Sequence, residues 1–93
     1  MSDSVFKHRL VAPIVNINGS SADSLMEGYI EVYRLLDKAI DAALKAMPHG
    51  RDYQTAPEKY PEARAAFLER IVALSEVKSD MMSLGLAVEM QNG

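Results

Sequence analysis

The chain has 93 residues, of which 48% are hydrophobic and 25% charged, and this composition predicts one globular domain, 1–93. Its net charge of −3 argues against binding to a nucleic-acid polymer, because surfaces that bind such polymers are basic. Cysteine is absent and histidine occurs only twice, which excludes disulfides, thiolate metal sites and histidine-rich metal centres within one chain. No cofactor and no metal is predicted.

No run of apolar residues approaches the ~20 that cross a bilayer, so no membrane-spanning segment is predicted. No signal peptide is apparent either, because Asp3, Lys7, His8 and Arg9 precede only a short apolar patch. The sequence therefore predicts a cytoplasmic protein that has no membrane partner.

Residues 1–9 are predicted to form a flexible terminus and residues 10–19 an extended arm. The arm is rich in β-branched residues, but Pro13 excludes a central position in a sheet. No partner strand is predicted elsewhere in the sequence, and a lone strand is unstable. The arm is therefore expected either to pair with its copy in another subunit or to lie across the helices.

The first helix is predicted over residues 20–47. Ser20 or Ser21 can cap it, Asp23 adds favourable charge in its first turn, and Pro48 ends it. Polar side chains recur at intervals of three and four residues, which predicts one solvent-facing stripe. The stripe consists of Glu27, Glu31, Arg34, Lys38, Asp41 and Lys45. The other sides of the helix are apolar.

Residues 48–60 are predicted to form a loop and residues 61–90 a second helix. Pro61 fits the first turn of this helix, where a missing N–H group is harmless. A capping box of Thr55 and Glu58 is an alternative start, in which case Pro61 would kink the helix. The second helix also carries apolar residues on two sides, at near-heptad spacing.

The two-sided apolar pattern of both helices determines the predicted fold class. A hairpin buries one side of each helix, so in a monomer the second side would leave a large exposed apolar patch. Gly28 is costly in a helix interior, so it is expected to lie at a close contact with a neighbouring backbone. We therefore expect an all-α, antiparallel two-helix hairpin with an extended N-terminal arm, assembled into an oligomeric helical bundle.

A first candidate site is the serine cluster, Asn18-Gly19-Ser20-Ser21, just before the first helix. In its simplest interpretation the cluster is a turn followed by a helix cap. In the functional interpretation it is an anion cradle, because free N–H groups, serine hydroxyls and the positive end of a helix suit a phosphate.

A second candidate site is the arginine loop, His49-Gly50-Arg51-Asp52-Tyr53. It lies in a connection longer than the roughly two to eight residues that usually join two helices. In one interpretation it is only a structured loop, in which Arg51 and Asp52 bind backbone groups and a neighbouring subunit. In the other, Arg51 is a bidentate donor to phosphate or carboxylate and Tyr53 is a stacking face.

The two candidate sites are predicted to lie at opposite ends of the hairpin, since the first helix is ~40 Å long at 1.5 Å per residue. They cannot meet within one subunit unless the arm folds far back. They can meet in an antiparallel dimer, where the loop of one subunit lies beside the helix start of the other.

The order of these motifs resembles a family of short proteins encoded by phages and prophages. The resemblance covers residues 14–88 and rests on the serine cluster, a helix that begins with Leu25, and Pro48-His49-Gly50-Arg51-Asp52-Tyr53-Gln54 ahead of a second helix. Its most specific element is Gly50-Arg51-Asp52-Tyr53. In size and shape the chain is also similar to phage immune-evasion sponges, which are small helical-hairpin oligomers that sequester nucleotide second messengers without cleaving them.

These observations predict a non-catalytic phage protein, acting in the cytoplasm of the bacterial host. As a homo-oligomer it would sequester a phosphate-bearing, nucleotide-derived immune signal at pockets between subunits. The alternative is a protein–protein interaction module, either an inhibitor of a bacterial defence complex or a phage structural accessory. An enzyme ranks third, because His49, Asp52 and Tyr53 lack an accompanying nucleophile–base arrangement or metal set.

Overall fold

The computed structural model describes residues 10–92, so the predicted flexible terminus, 1–9, lies outside the described residues. In this part of the chain two α-helices, α1 (Ala22–Lys45) and α2 (Lys59–Asn92), are joined by a short 3-10 turn (Gly50–Tyr53). No strand occurs between residues 10 and 92, which confirms the predicted all-α class. None of the helices found there has both the length and the apolar character needed to cross a bilayer.

The start and end of α1 follow from its terminal residues. Ser21 caps the helix, since its Oγ accepts a hydrogen bond of 3.0 Å from the Ser24 backbone N–H. At the other end the Ala46 N–H donates to the carbonyls of Ala42 and Ala43, and Pro48 follows two residues later. The helix is therefore shorter than the expected 20–47, because a cap stands outside the helix and the residue before a proline disfavours helical geometry.

The solvent-facing stripe predicted for α1 is confirmed, because all six of its residues are exposed. Within the stripe the Arg34 guanidinium forms a salt bridge of 2.7 Å with Glu31, one turn earlier. The hydrogen bond and the charge of Arg34 together lower the pKa of Glu31.

α2 has 34 residues and begins at Lys59, with Pro61 in its first turn. Two short turns precede it, in which the Lys59 N–H donates to Ala56 O at 2.9 Å and the Tyr60 N–H to Pro57 O at 3.2 Å. A Thr55–Glu58 capping box would start the helix at Ala56, so the alternative start is not observed.

The two helices pack side by side in opposite directions. Lys78 of α2 forms a salt bridge of 2.8 Å with Asp37 of α1, and its ammonium group lies 5.1 Å from the centre of the Tyr33 ring. Nearer the hairpin's open end, a Cβ built on Gly85 would lie 4.0 Å from Met26 Cε. The hydrogen bond that Lys78 Nζ donates to Asp37 Oδ1 is the main cause that raises the pKa of Lys78.

The N-terminal segment (residues 10–20) contains neither helix nor strand and lies against the end of α2. The Val15 N–H donates to Gln91 Oε1 at 2.9 Å, and Gln91 Nε2 donates to Pro13 O at 2.8 Å. One side chain of α2 therefore holds the segment by two backbone groups. The expected arm, residues 10–19, falls within this segment.

The hairpin is a rod with a thin core. It measures 62 × 32 × 18 Å, and its radius of gyration is 18.3 Å, whereas a compact domain of this length has about 12 Å. Among the described apolar residues, those buried are Ala22, Ile71, Leu84 and Val88. Large apolar side chains remain exposed on both helices.

Candidate ligand-binding site

The arginine loop is folded by consecutive backbone turns. The Asp52 N–H donates to His49 O at 3.0 Å, and this bond closes the 3-10 turn. The Ala56 N–H then donates to Tyr53 O at 3.1 Å. The long connection is therefore a series of turns with a defined shape, and it presents the His49, Arg51 and Asp52 side chains to solvent.

Tyr53 is fixed against the start of α2. Its ring centre lies 6.1 Å from that of Tyr60, with 43° between the ring planes, and both side chains are half-buried. Tilted ring pairs at this distance are favourable beyond the area they bury. The pair therefore positions the 3-10 turn on α2 and leaves part of the Tyr53 ring available to a ligand.

A shallow pocket of about 360 Å³ lies beside this ring. Its lining consists of Tyr53, Lys59, Glu62, Ala63 and Ala66. The volume falls within the range of small-molecule sites. The pocket thus combines an aromatic face with one cationic and one anionic side chain, and Lys59 stands at its entrance as an exposed residue.

Arg51 is an exposed cation two residues before Tyr53, which lines this pocket. Within residues 10–92 its guanidinium makes no hydrogen bond or ion pair, and the Asp52 carboxylate makes none either. In the single chain these two side chains make no hydrogen bond to the loop's own backbone. Contact with a neighbouring subunit and contact with a ligand both remain predictions.

The serine cluster is a turn and a helix cap in this structure. Asn16 organises the turn, since its Oδ1 accepts from the Asn18 N–H at 2.9 Å and its backbone O from the Gly19 N–H at 3.2 Å. A Cβ on Gly19 would lie 3.1 Å from Asn16 Nδ2, so glycine is favoured there by a close approach. Ser20 is exposed, and Ser21 caps α1.

The electrostatics of the serine cluster are mixed. The positive end of α1 favours an anion, and the cap leaves Ser20 without a hydrogen bond among the described residues. The Asp23 carboxylate, however, lies in the first turn and carries the charge that the helix end favours. A phosphate at this position would compete with Asp23, so the cluster alone is a weak anion site.

The two candidate sites do not meet within one chain. The 24 residues of α1 lie between them, which corresponds to about 36 Å. The serine cluster lies at the end where Gln91 holds the N-terminal segment, and the arginine loop lies at the opposite end. Only a second subunit could bring the two together.

Two residues of the candidate sites are not among those predicted from the sequence. One is Asn16, although asparagine is a typical turn-forming residue and a glycine follows three positions later. The other is Lys59, which precedes the predicted start of the second helix at residue 61; only the structure places it in the first turn of α2.

In the described part of the chain, no three histidine, aspartate or glutamate side chains come together as a metal ion would require. Comparison with known protein families, with curated proteins and with solved structures gave no match.

Proposed function

We propose that the chain assembles into a homo-oligomeric helical bundle that binds a phosphate-bearing, nucleotide-derived signal and holds it intact. In the context that the resemblance implies, it is a phage anti-defence sponge in the cytoplasm of the bacterial host. The observation that carries the proposal is the exposed Arg51 guanidinium, which has no partner within residues 10–92 and belongs to a loop fixed on an aromatic-lined pocket.

Three side chains at or beside the arginine loop have binding roles in this proposal. Arg51 offers a planar fork that matches two phosphate oxygens. Lys59 adds a second positive charge at the edge of the pocket. Tyr53 offers a ring face for a base, and stacking of this kind contributes ~1–3 kcal/mol per base in nucleic-acid complexes.

The serine cluster completes the site from another subunit. Asn18, Gly19, Ser20 and Ser21 would supply backbone N–H groups and hydroxyls beside His49, Gly50, Arg51, Asp52 and Tyr53 of a neighbour. Each of the two candidate sites is exposed and incomplete by itself, and α1 keeps the two sites about 36 Å apart in one chain. The Asp23 charge, which opposes an isolated anion site, is then offset by Arg51.

A second candidate function is supported by a separate observation. Large apolar side chains remain exposed on both helices and on the N-terminal segment. Surfaces of this kind also suit a protein–protein interaction module, which would inhibit a bacterial defence complex or serve as a phage structural accessory.

The test is depletion and recovery of ligand. The protein is incubated with a panel of cyclic oligonucleotides and ADP-ribose derivatives, free ligand is measured after filtration, and the protein is then denatured and ligand measured again. We expect depletion of one class and full recovery on denaturation. Arg51→Ala should weaken binding at least ~100-fold, because a charge-assisted bidentate contact is lost. Its fold should be unchanged, because the side chain is exposed.

Arg64→Ala is the matched control. Arg64 is an exposed arginine on α2 that does not line the pocket, so its removal changes the net charge equally and should leave depletion intact. Recovery of a changed product would indicate catalysis and contradict a sponge. No depletion across the panel would favour the protein–protein module.

A further inference from the structure

An apolar groove runs between the first half of α1 and the last third of α2. Its volume is about 330 Å³, and its walls include Met26, Ile30, Tyr33, Met82 and Leu86. Several of these side chains face solvent: Ile30 is 60% exposed, Met82 52% and Leu86 54%. Gly85 also lines the groove, and its missing side chain contributes to the concave shape.

The N-terminal segment presents a second apolar surface at the same end of the hairpin. Gln91 holds Pro13 and Val15 against α2, so the inner side of the segment is half-buried. On its outer side Val11 is 86% exposed, Ile14 81% and Ile17 96%. The three outer residues are β-branched and each is more than four-fifths exposed, and we call them the outer row.

Within one chain the outer row does not occupy the groove. The outer residues are almost fully exposed, and so are half or more of the Ile30, Met82 and Leu86 side chains. The Gln91 hydrogen bonds keep the segment in this position. Two apolar surfaces, the outer row (the ridge) and the groove, are therefore both left facing water on one molecule.

The occupant that suits both surfaces is a second copy of the chain. A two-fold dimer needs a self-complementary patch, in which the ridge of each copy meets the groove of the other. Ridge and groove both lie at the end where the start of α1 meets the end of α2, so one two-fold axis near that end can pair them twice.

The exposed area agrees with this interface. The chain exposes 6889 Å², whereas a compact monomer of 10.2 kDa exposes about 5,300 Å². A standard interface removes about 800 Å² from each partner. A rod-shaped chain exposes more surface than a compact chain of equal mass, and the area exposed here is sufficient for one such interface.

We propose that the outer row of the N-terminal segment, Val11, Ile14 and Ile17, occupies the groove of a second copy, and that the exchange is reciprocal. This inference rests on the oligomeric part of the proposed function and is independent of the ligand.

The absence of cysteine allows a direct test by disulfide cross-linking. One chain carries Ile14→Cys, a second chain of different mass carries Met82→Cys, and the two are mixed at micromolar concentration with a mild oxidant. A docked pair of thiols has an effective concentration near ~1 mM, so the mixed disulfide should form on the order of 100-fold faster than random collision allows. Because each chain has one thiol, every cross-link lies between copies.

Val72→Cys is the matched control for Met82→Cys. Val72 is 54% exposed on the same helix but does not line the groove, so Ile14→Cys mixed with Val72→Cys should cross-link only at the slow rate. Equal rates for the two mixtures would overturn the proposal. Arg51→Ala in both chains should leave the fast cross-link unchanged, which separates this test from that of the ligand site.

Charged substitutions provide an independent measurement. Ile17→Asp and Leu86→Asp should each lower the mass measured by light scattering, with helicity by circular dichroism unchanged because both side chains are exposed. Val72→Asp should have a smaller effect. If Leu86→Asp lowered the mass and Ile17→Asp did not, another surface would occupy the groove and the assignment of the N-terminal segment would be wrong.

Discussion

Ser21 illustrates how one side chain can support two interpretations. Its Oγ accepts from the Ser24 N–H, so the cap is present whether or not a ligand binds. The anion cradle is a separate hypothesis, which concerns the backbone N–H groups and hydroxyls that the cap does not use. The two interpretations can be separated by a substitution that keeps the cap but changes its charge.

Ser21→Ala should lower the free energy of unfolding by about 1 kcal/mol at fixed protein concentration, because a first-turn N–H group loses its acceptor. Ser21→Asp should keep the stability, since aspartate caps equally well and suits the helix dipole. Urea denaturation measures both effects.

The same Ser21→Asp variant should lose ligand depletion, because its carboxylate repels a phosphate. Ser20→Ala is the control for stability, as Ser20 is exposed and does not cap α1. A Ser21→Asp protein that depletes ligand as well as the wild type would remove the serine cluster from the site.

The sequence predicts the chemical role of a single residue better than it predicts which residues lie beside it in the structure. The sequence predicted a cap at Ser20 or Ser21, and the structure assigns it to Ser21. The sequence also indicated Arg51 and Tyr53 as candidate site residues. The Tyr53–Tyr60 pair and the place of Lys59 beside Tyr53 depend on the consecutive turns between residues 49 and 60. Several turn conformations suit that sequence, so its spacing does not determine which side chains meet.

At the scale of the helices, boundaries were predictable to within two residues at each end of α1 and α2. Proline and capping residues act locally, which is why sequence alone located them. Asp37, which interrupts an apolar row, pairs with Lys78 of the other helix. That pairing depends on how the helices are aligned along one another, and helix periodicity does not contain this information.

Gly28 provides a test of the side of α1 that faces away from the groove. It is exposed in the single chain, and a Cβ there would meet no atom within 4 Å. Gly28 and Ile30 are separated by about 200° around the helix, so Gly28 lies on the side away from the groove. The expected close contact therefore stays a prediction about the assembly.

Gly28→Leu should reduce the mass measured by light scattering if a neighbouring subunit approaches this side closely. Gly28→Ala is the control, because alanine raises helix stability by ~1 kcal/mol and adds only one methyl group. A Gly28→Leu protein with wild-type mass would show that this side of α1 is solvated in the assembly.

At the scale of the whole molecule, the chain is a rod with large apolar side chains exposed on both helices and on the N-terminal segment. The sequence predicted a second apolar side on each helix, and the exposed apolar residues agree with that prediction. Which copy covers which side could not be predicted, because the same periodic pattern allows several ways of packing hairpins together. The groove and the Gly28 side of α1 lie on different faces, so assemblies larger than a dimer are compatible with the surface.

The composite ligand site joins opposite ends of two hairpins, and the docking of the N-terminal segment joins like ends, so the two contacts involve different neighbours. Each of them requires at least a second copy of the chain. The most direct test is therefore the molar mass in solution, measured by multi-angle light scattering at low micromolar concentration. We predict at least two copies of the 10.2 kDa chain, with the helical content intact. A folded monomer of 10.2 kDa that persists at high micromolar concentration would contradict the account.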